Sequence, residues 1–357
     1  MAPRKEIEAM PESDQFGEAP HPRDTLSLSG HQEAEVQLLD AYRSGRLPHA
    51  WILGGKQGIG KATLAWRFAR FLFVNADPAA PQVVSAMDLS VPPDHPMVRR
   101  MNARALSDIS TIRPEWDAKG KKFFTGIRVD DVRRTLQMFQ QAASAGGWRV
   151  AILDSAEDLN SASANALLKV IEEPPPKSLF LIVAHRPSQI IPTIRSRCRK
   201  LLLNPLSVAE VTRALQGVDE VWSAHDEGDL RAAAERSGGS VQEALKLLDG
   251  EALALLREVS RHLEHLPRVE WLAIHRLAEK LSSRDATADF ETVLAAVFDW
   301  LDHQVRAGGQ QRPEALAPYA EAWEKIRAQA RETEALNLDR RPLILSIFTD
   351  LAAAKAA

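Results

Sequence analysis

A chain of 357 residues is too long for one ordinary domain, so two or three are expected. Apolar residues at 45% and charged residues at 26% provide ample core, and a formal charge of −3 excludes a protein that binds nucleic acid alone through a large basic surface. The single cysteine, Cys198, excludes an intrachain disulfide and a cysteine-based zinc cluster, so a small packed side chain is expected there.

Residues 1–24 are polar, hold four prolines and offer too little apolar surface to offset the entropy of ordering, so a disordered tail is expected. They lack the apolar core of a signal peptide, and no later stretch is long and apolar enough to span a bilayer; a cytoplasmic location follows as an expectation. Val36, Leu38, Leu39 and Tyr42 recur at helical spacing. The apolar run Ala50-Trp51-Ile52-Leu53 stops at Gly54-Gly55, and 63–74 is again helical in pattern, which gives strand, glycine loop, helix. The stretch 75–96 has five prolines and no period and reads as an exposed insertion. A strand is expected over 108–112, a solvated hairpin or loop over 119–122 and a helix over 130–145.

The clearest alternation follows: apolar Val150-Ala151-Ile152-Leu153, a helix over 161–172, Pro174-Pro175-Pro176, apolar 179–184 and apolar Leu201-Leu202-Leu203. Short buried strands alternating with helices imply a parallel sheet covered on both faces. After Pro205 the strand signal vanishes. Ser207-Val208-Ala209-Glu210 and Ser240-Val241-Gln242-Glu243 both fit the helix-starting capping box. From Glu251 onward the pattern is helical, broken by Pro267, Pro313, Pro318 and Pro342.

The loop Gly55-Lys56-Gln57-Gly58-Ile59-Gly60-Lys61-Ala62 has the spacing of a phosphate-binding loop: glycines let backbone N–H groups curl around an anion, and Lys61 would meet the outer phosphates. The next position should carry a Ser or Thr for Mg²⁺ but is Ala62, and Thr63 lies about 100° further round the helix. Asp154 ends an apolar strand, where P-loop enzymes hold Mg²⁺ through water; a strand-end acid capping nearby backbone is the other reading. Ser155 follows it, so the Glu that often orients the attacking water is missing, and Glu157 lies beyond the strand end.

The ordered set Asn165-Ala166-Leu167-Leu168-Lys169, Glu172-Glu173-Pro174-Pro175 and Pro192-Thr193-Ile194-Arg195-Ser196-Arg197-Cys198 resembles the clamp-loader branch of AAA+ proteins, and within it the delta-prime family of the bacterial DNA polymerase III loader. Gly58-Ile59-Gly60-Lys61 and His49-Ala50 are similar to the same branch, and the resemblance covers about 26–247. It implies an α/β fold: an AAA+ P-loop domain with a parallel sheet over 25–204, a small helical lid over 205–250 and an all-α oligomerising collar over 251–357.

It also implies that Arg197 is an arginine finger acting in trans on a neighbour's nucleotide, a role suited to a planar, permanent charge; a surface Arg flanked by Arg195, Arg199 and Lys200 is the alternative. Motor subunits of the branch place an arginine, sensor 2, where this chain has Gln242, and its sensor-1 stretch reads Ala184-His185-Arg186. With Ala62, Ser155, Gln242 and that stretch all altered beside a retained Arg197, the resemblance points to a non-motor, stator subunit within the DNA-directed DNA polymerase holoenzyme.

Expected partners are the motor ATPase and clamp-opening subunits, the sliding clamp and primer–template DNA inside a hetero-oligomer. Gly55, Gly58, Gly60, Lys61 and Asp154 remain a degenerate site for ATP and Mg²⁺, and no zinc module is present. An active motor subunit of the same loader is the alternative, and a P-loop small-molecule kinase a more distant one. The histidines His21, His31, His49 and His95 show no metal-ligand spacing, and the basic residues between Arg99 and Arg134 are interrupted by five acids, as on a solvated face.

Overall fold

The computed structural model describes residues 10–141, 147–250, 252–283, 286–307 and 316–356. Two compact units divide the chain, Met1–Leu245 and Lys246–Ala357.

Unit 1 runs α1 (Gln32–Arg43), β1 (Ala50–Gly54), α2 (Lys61–Val74), the short α3 (Pro81–Ser85) and α4 (Pro96–Asn102), then β2 (Ile109–Ile112). A two-stranded antiparallel hairpin, β3 (Trp116–Asp117) and β4 (Lys122–Phe123), precedes α5 (Val129–Gln140). Then come β5 (Arg149–Leu153), α6 (Ser161–Glu172), β6 (Ser178–Ala184), α7 (Pro192–Arg195) and β7 (Arg199–Leu202). Helices α8 (Val208–Gln216), α9 (Glu220–Ser223), α10 (Glu227–Arg236) and α11 (Val241–Leu248) follow, and the boundary between the units falls inside α11.

The five principal strands form one sheet in the order β2-β5-β6-β1-β7, with every neighbouring pair parallel. This is the parallel α/β sheet expected of the AAA+ P-loop domain. Apolar runs without polar alternation become its central strands because helices cover both faces. All seven residues of β6 are buried. Successive side chains go to opposite faces: Trp51, Leu53, Ile152, Leu181 and Val183 enter one core, and Ile52, Ala151, Leu153, Phe180 and Ile182 enter the other. Ser207 makes the expected capping box with Glu210, and Ser240 Oγ accepts from the Glu243 N–H at 3.2 Å.

Three expectations need correction. Residues 10–24 are not a loose tail: Glu12, Ala19, His21 and Arg23 are buried, and the backbone carbonyls of Arg23, Thr25 and Leu26 accept from Arg70 and Arg67 on α2. Charged anchors supply what the segment's own apolar content could not; residues 1–9 lie outside the described residues. The insertion over 75–96 is pinned by fully buried Val83 and Leu89, and Arg43 Nε donates to the Val83 carbonyl at 2.8 Å. Helix α5 ends at Gln140, and 142–146 of the predicted helix lie outside the described residues.

Unit 2 holds α12 (Ala252–Glu264), α13 (Trp271–Leu281), α14 (Thr287–Ala307), α15 (Ala317–Ala335) and α16 (Arg340–Ala356). It has its own core, in which Val259, Ile274, Val297, Ile326 and Leu351 are fully buried. Glu251 and Pro313 lie outside the described residues. Among the described residues no helix is long and apolar enough to cross a membrane.

Candidate functional site

The carboxyl ends of β1, β5 and β6 converge, at the edge where open parallel sheets bind ligands. Beyond β1 the chain turns through Gly55, Gly58 and Gly60 at φ of 149°, 74° and 101°, a region side chains rarely allow, before entering α2 at Lys61. Gly58 has no room for anything larger: a Cβ there would lie 2.3 Å from Ser240 Oγ and 2.5 Å from Gln242 Cβ. Around this loop opens a cleft of about 700 Å³ that includes Lys61, Asp154, Glu157 and His185 in its walls. The sequence-predicted residues Gly58, Gly60, Lys61 and Asp154 therefore meet at one site, with Gly55 at the start of the same loop.

Several polar groups of the cleft are engaged by the protein itself, whereas Glu157 Oε2 and His185 Nδ1 are buried without a hydrogen-bond partner among the described residues. Lys61 is buried, and its ammonium donates to the Gly55 carbonyl at 2.8 Å and to the Lys56 carbonyl. Burial pushes its pKa down to about 8, with Asp154 and Glu157 opposing. Burial and, next, the charge of Asp14 push the Asp154 carboxyl up to about 7 in spite of Lys61. Ser155 Oγ donates to Asp158 Oδ2 at 2.8 Å. Ala62 brings no hydroxyl, and Thr63 reaches the cleft wall one position further round α2. A Mg²⁺ ion would call for a hydroxyl after the P-loop lysine and a readily ionised strand-end acid. The residues present do not fit it.

Glu157, which sequence spacing placed beyond the strand end, lines the cleft after all. Its Oε1 accepts from the backbone N–H groups of His185 at 2.8 Å and Arg186 at 3.1 Å, tying the end of β5 to the end of β6. Burial, with Lys61 next, lowers the His185 pKa, which favours the neutral ring. The start of α11 closes over the loop. The Val241 N–H donates to the Gly58 carbonyl at 2.9 Å, and Lys56 Nζ donates to the carbonyls of Ser237 and Gly238, each at 3.1 Å. Gln242 stands against Gly58 where the resemblance places an arginine in motor subunits.

Arg197 is not brought to this cleft. It sits on the turn between α7 and β7 with its side chain 40% exposed; Nη1 donates to the Thr193 carbonyl at 3.0 Å and Nη2 pairs with Glu172 Oε1 at 2.7 Å. Two of the motifs singled out in the sequence, Glu172-Glu173-Pro174-Pro175 and Ser196-Arg197-Cys198, thus touch through one ion pair. Cys198 is half-buried against the β5–β6 core, and burial pushes its thiol up to about 12, an unreactive state.

Residues 30–207 match the model of the family described as "DNA polymerase III, delta subunit". The subunit delta-prime of Pseudomonas aeruginosa DNA polymerase III is 37% identical over 152 residues, which is 42% of this chain and 41% of that protein. The chain belongs to the delta-prime family. The Escherichia coli subunit delta-prime is 28% identical over 261 residues, covering 73% of this chain and 67% of that one. The aligned part thus spans well under half of the Pseudomonas relative and about two thirds of the Escherichia one. A solved gamma-subunit-related protein of Thermotoga maritima superposes with a TM-score of 0.40 at 17% identity, over 89% of this chain and 99% of that one.

In this delta-prime-family chain Lys61, Asp154, Glu157, His185 and Arg197 lie inside the matched region, whereas Asp14 and Gln242 of the cleft wall lie outside it. The principal cleft residues that sequence reasoning missed are Asp14 and Glu157. Glu157 carried a weak signal, an acid three residues after Asp154, whereas Asp14 carried none.

Proposed function

We propose that the chain is a non-motor subunit of a sliding-clamp loader, which assembles with motor and clamp-opening subunits and helps place the clamp on primer–template DNA. It hydrolyses no ATP itself and presents Arg197 to nucleotide bound by a neighbouring subunit. One contrast carries the reading: Arg197 stands on an exposed turn, held at 2.7 Å by Glu172, while the chain's own cleft lacks the Mg²⁺ hydroxyl at Ala62 and the water-orienting acid at Ser155. Membership of the delta-prime family supports the loader context. A guanidinium that can leave a surface carboxylate for a γ-phosphate offsets charge developing in phosphoryl transfer.

The test is a loader reconstituted with Arg197→Ala. Assembly should be intact while DNA-stimulated ATP turnover and clamp loading fall; an arginine finger contributes about 10³-fold or more at the site it serves, and the bulk loss is smaller because other sites continue. Unchanged rates in the intact complex would remove Arg197 from the mechanism. Turnover near one per second by the isolated chain, an ordinary enzyme rate, would make it a motor instead.

A further inference from the structure

Within segment 12–16, Ser13, Asp14, Gln15 and Phe16 form part of the wall of the cleft that also holds Lys61 and Asp154, and the charge of Asp14 acts on Asp154. A buried ion network fixes the segment there. Glu12 pairs with Arg113 at 2.6 Å, with Arg23 at 3.3 Å and with Arg104; Asp14 pairs with Arg113; and His21 Nε2 lies 2.9 Å from Glu12 Oε2 and 3.1 Å from Asp14 Oδ1. Both carboxylates and the His21 ring are almost wholly buried. Glu12, Asp14 and His21 are close enough to share a metal ion, but the two carboxylates already accept from arginines. Arg113 directly follows β2, so the latch sits at the same carboxyl edge of the sheet as the P-loop.

We propose that segment 12–16 is a built-in acidic plug that decides the ligand class of this cleft by keeping nucleoside triphosphate out. The inference deepens the non-motor reading and rests on it. A triphosphate's outer phosphates would bring negative charge to a wall that already holds Asp14, Asp154, Glu157 and Asp158, beside Lys61, Arg186 and a Lys56 whose ammonium is held by the Ser237 and Gly238 carbonyls. Like charges at such range in a partly dry site cost far more than in water. The segment also occupies volume and neutralises Arg113, whose guanidinium both Glu12 and Asp14 engage. Entry of ATP therefore requires the latch to open.

The experiment titrates a fluorescent ATP analogue into three forms of the full chain: unaltered, Asp14→Asn, and the double variant Glu12→Ala/Asp14→Ala, with thermal unfolding confirming that each is folded. The double variant is expected to bind at least ten-fold more tightly than the unaltered chain, and Asp14→Asn to fall between them. Equal affinities in all three would overturn the plug. So would weaker binding by the double variant, because the segment would then be part of the ligand's own site.

Should the double variant fail to fold, hydrogen exchange on the unaltered chain decides. Millimolar ATP should accelerate exchange at amides 12–16, and slowed or unchanged exchange counts against the proposal. Binding is read separately from turnover. Hydrolysis by the unaltered chain breaks the non-motor reading, whereas equal binding without hydrolysis breaks only the plug.

Discussion

Asp154→Asn tests the electrostatics of the cleft through stability. The carboxyl is held at about 7 instead of 3.8, so its charged form is disfavoured in the folded state, first by burial and then by Asp14. For an acid raised on folding, both states are protonated below the unfolded value and the penalty is absent. The penalty grows as pH climbs from about 4 to about 7 and is complete above that. At about 1.4 kcal/mol per pH unit, its ceiling is about 4 kcal/mol. Asparagine keeps the shape and removes the charge, and the value of about 7 already includes the attraction of Lys61, so a gain of about 4 kcal/mol at pH 8 and close to none at pH 4 is expected. Because the chain has two compact units, the readout must belong to unit 1. Urea-dependent hydrogen exchange of peptides from β5 and β6 provides it. A gain of the same size at both pH values would make the effect one of packing, and no gain at pH 8 would refute the reasoning.

Gly58→Ala should cost unit 1 about 2–4 kcal/mol, since a Cβ would strike Ser240 Oγ and Gln242 Cβ at a backbone φ of 74°; a loss below about 0.5 kcal/mol in urea unfolding would show that the start of α11 yields freely. A fragment spanning 246–357 should fold on its own core, unfold cooperatively and co-elute with partner loader subunits, with 43%-exposed Trp271 as one anchor, while the 1–245 fragment binds them poorly. Co-elution of the N-terminal fragment alone would move the assembly surface to unit 1.

The sheet was legible because parallel strands buried on both faces leave uninterrupted apolar runs, as at 150–153 and 179–184. The glycine loop was legible because its spacing is dictated by backbone geometry. Segment 10–24 was not, because its order comes from partners far along the chain. Composition counts the apolar area a segment carries itself, and Arg67, Arg70 and Arg113 contribute nothing to that count. Periodicity likewise says that a residue faces inward without saying toward what. Trp300 and Trp323, on helical patterns, are half-buried and pack within unit 2 against Tyr319 at 6.1 Å and Phe298 at 5.2 Å.

The state of Lys61 bears on how an altered P-loop behaves toward nucleotide. A hydrogen bond from a charged donor contributes about 1.5–3 kcal/mol net, and Lys61 makes two to backbone carbonyls. A phosphate must displace at least part of this before it gains anything from the ammonium. The Gly58 carbonyl is likewise taken by Val241, and Lys56 by Ser237 and Gly238, so both lysine ammonium groups of the loop are satisfied without ligand. Internal satisfaction of this kind adds to the stability of unit 1 and subtracts from ligand affinity by the same contacts. Arg197 is held more loosely: its bond to the Thr193 carbonyl lies at the surface, its partner Glu172 is itself 41% exposed, and an ion pair in that setting contributes about 0–1 kcal/mol. Freeing the Arg197 guanidinium therefore costs less than freeing the buried Lys61 ammonium, and that difference is what the proposed action in trans, with no hydrolysis in cis, requires.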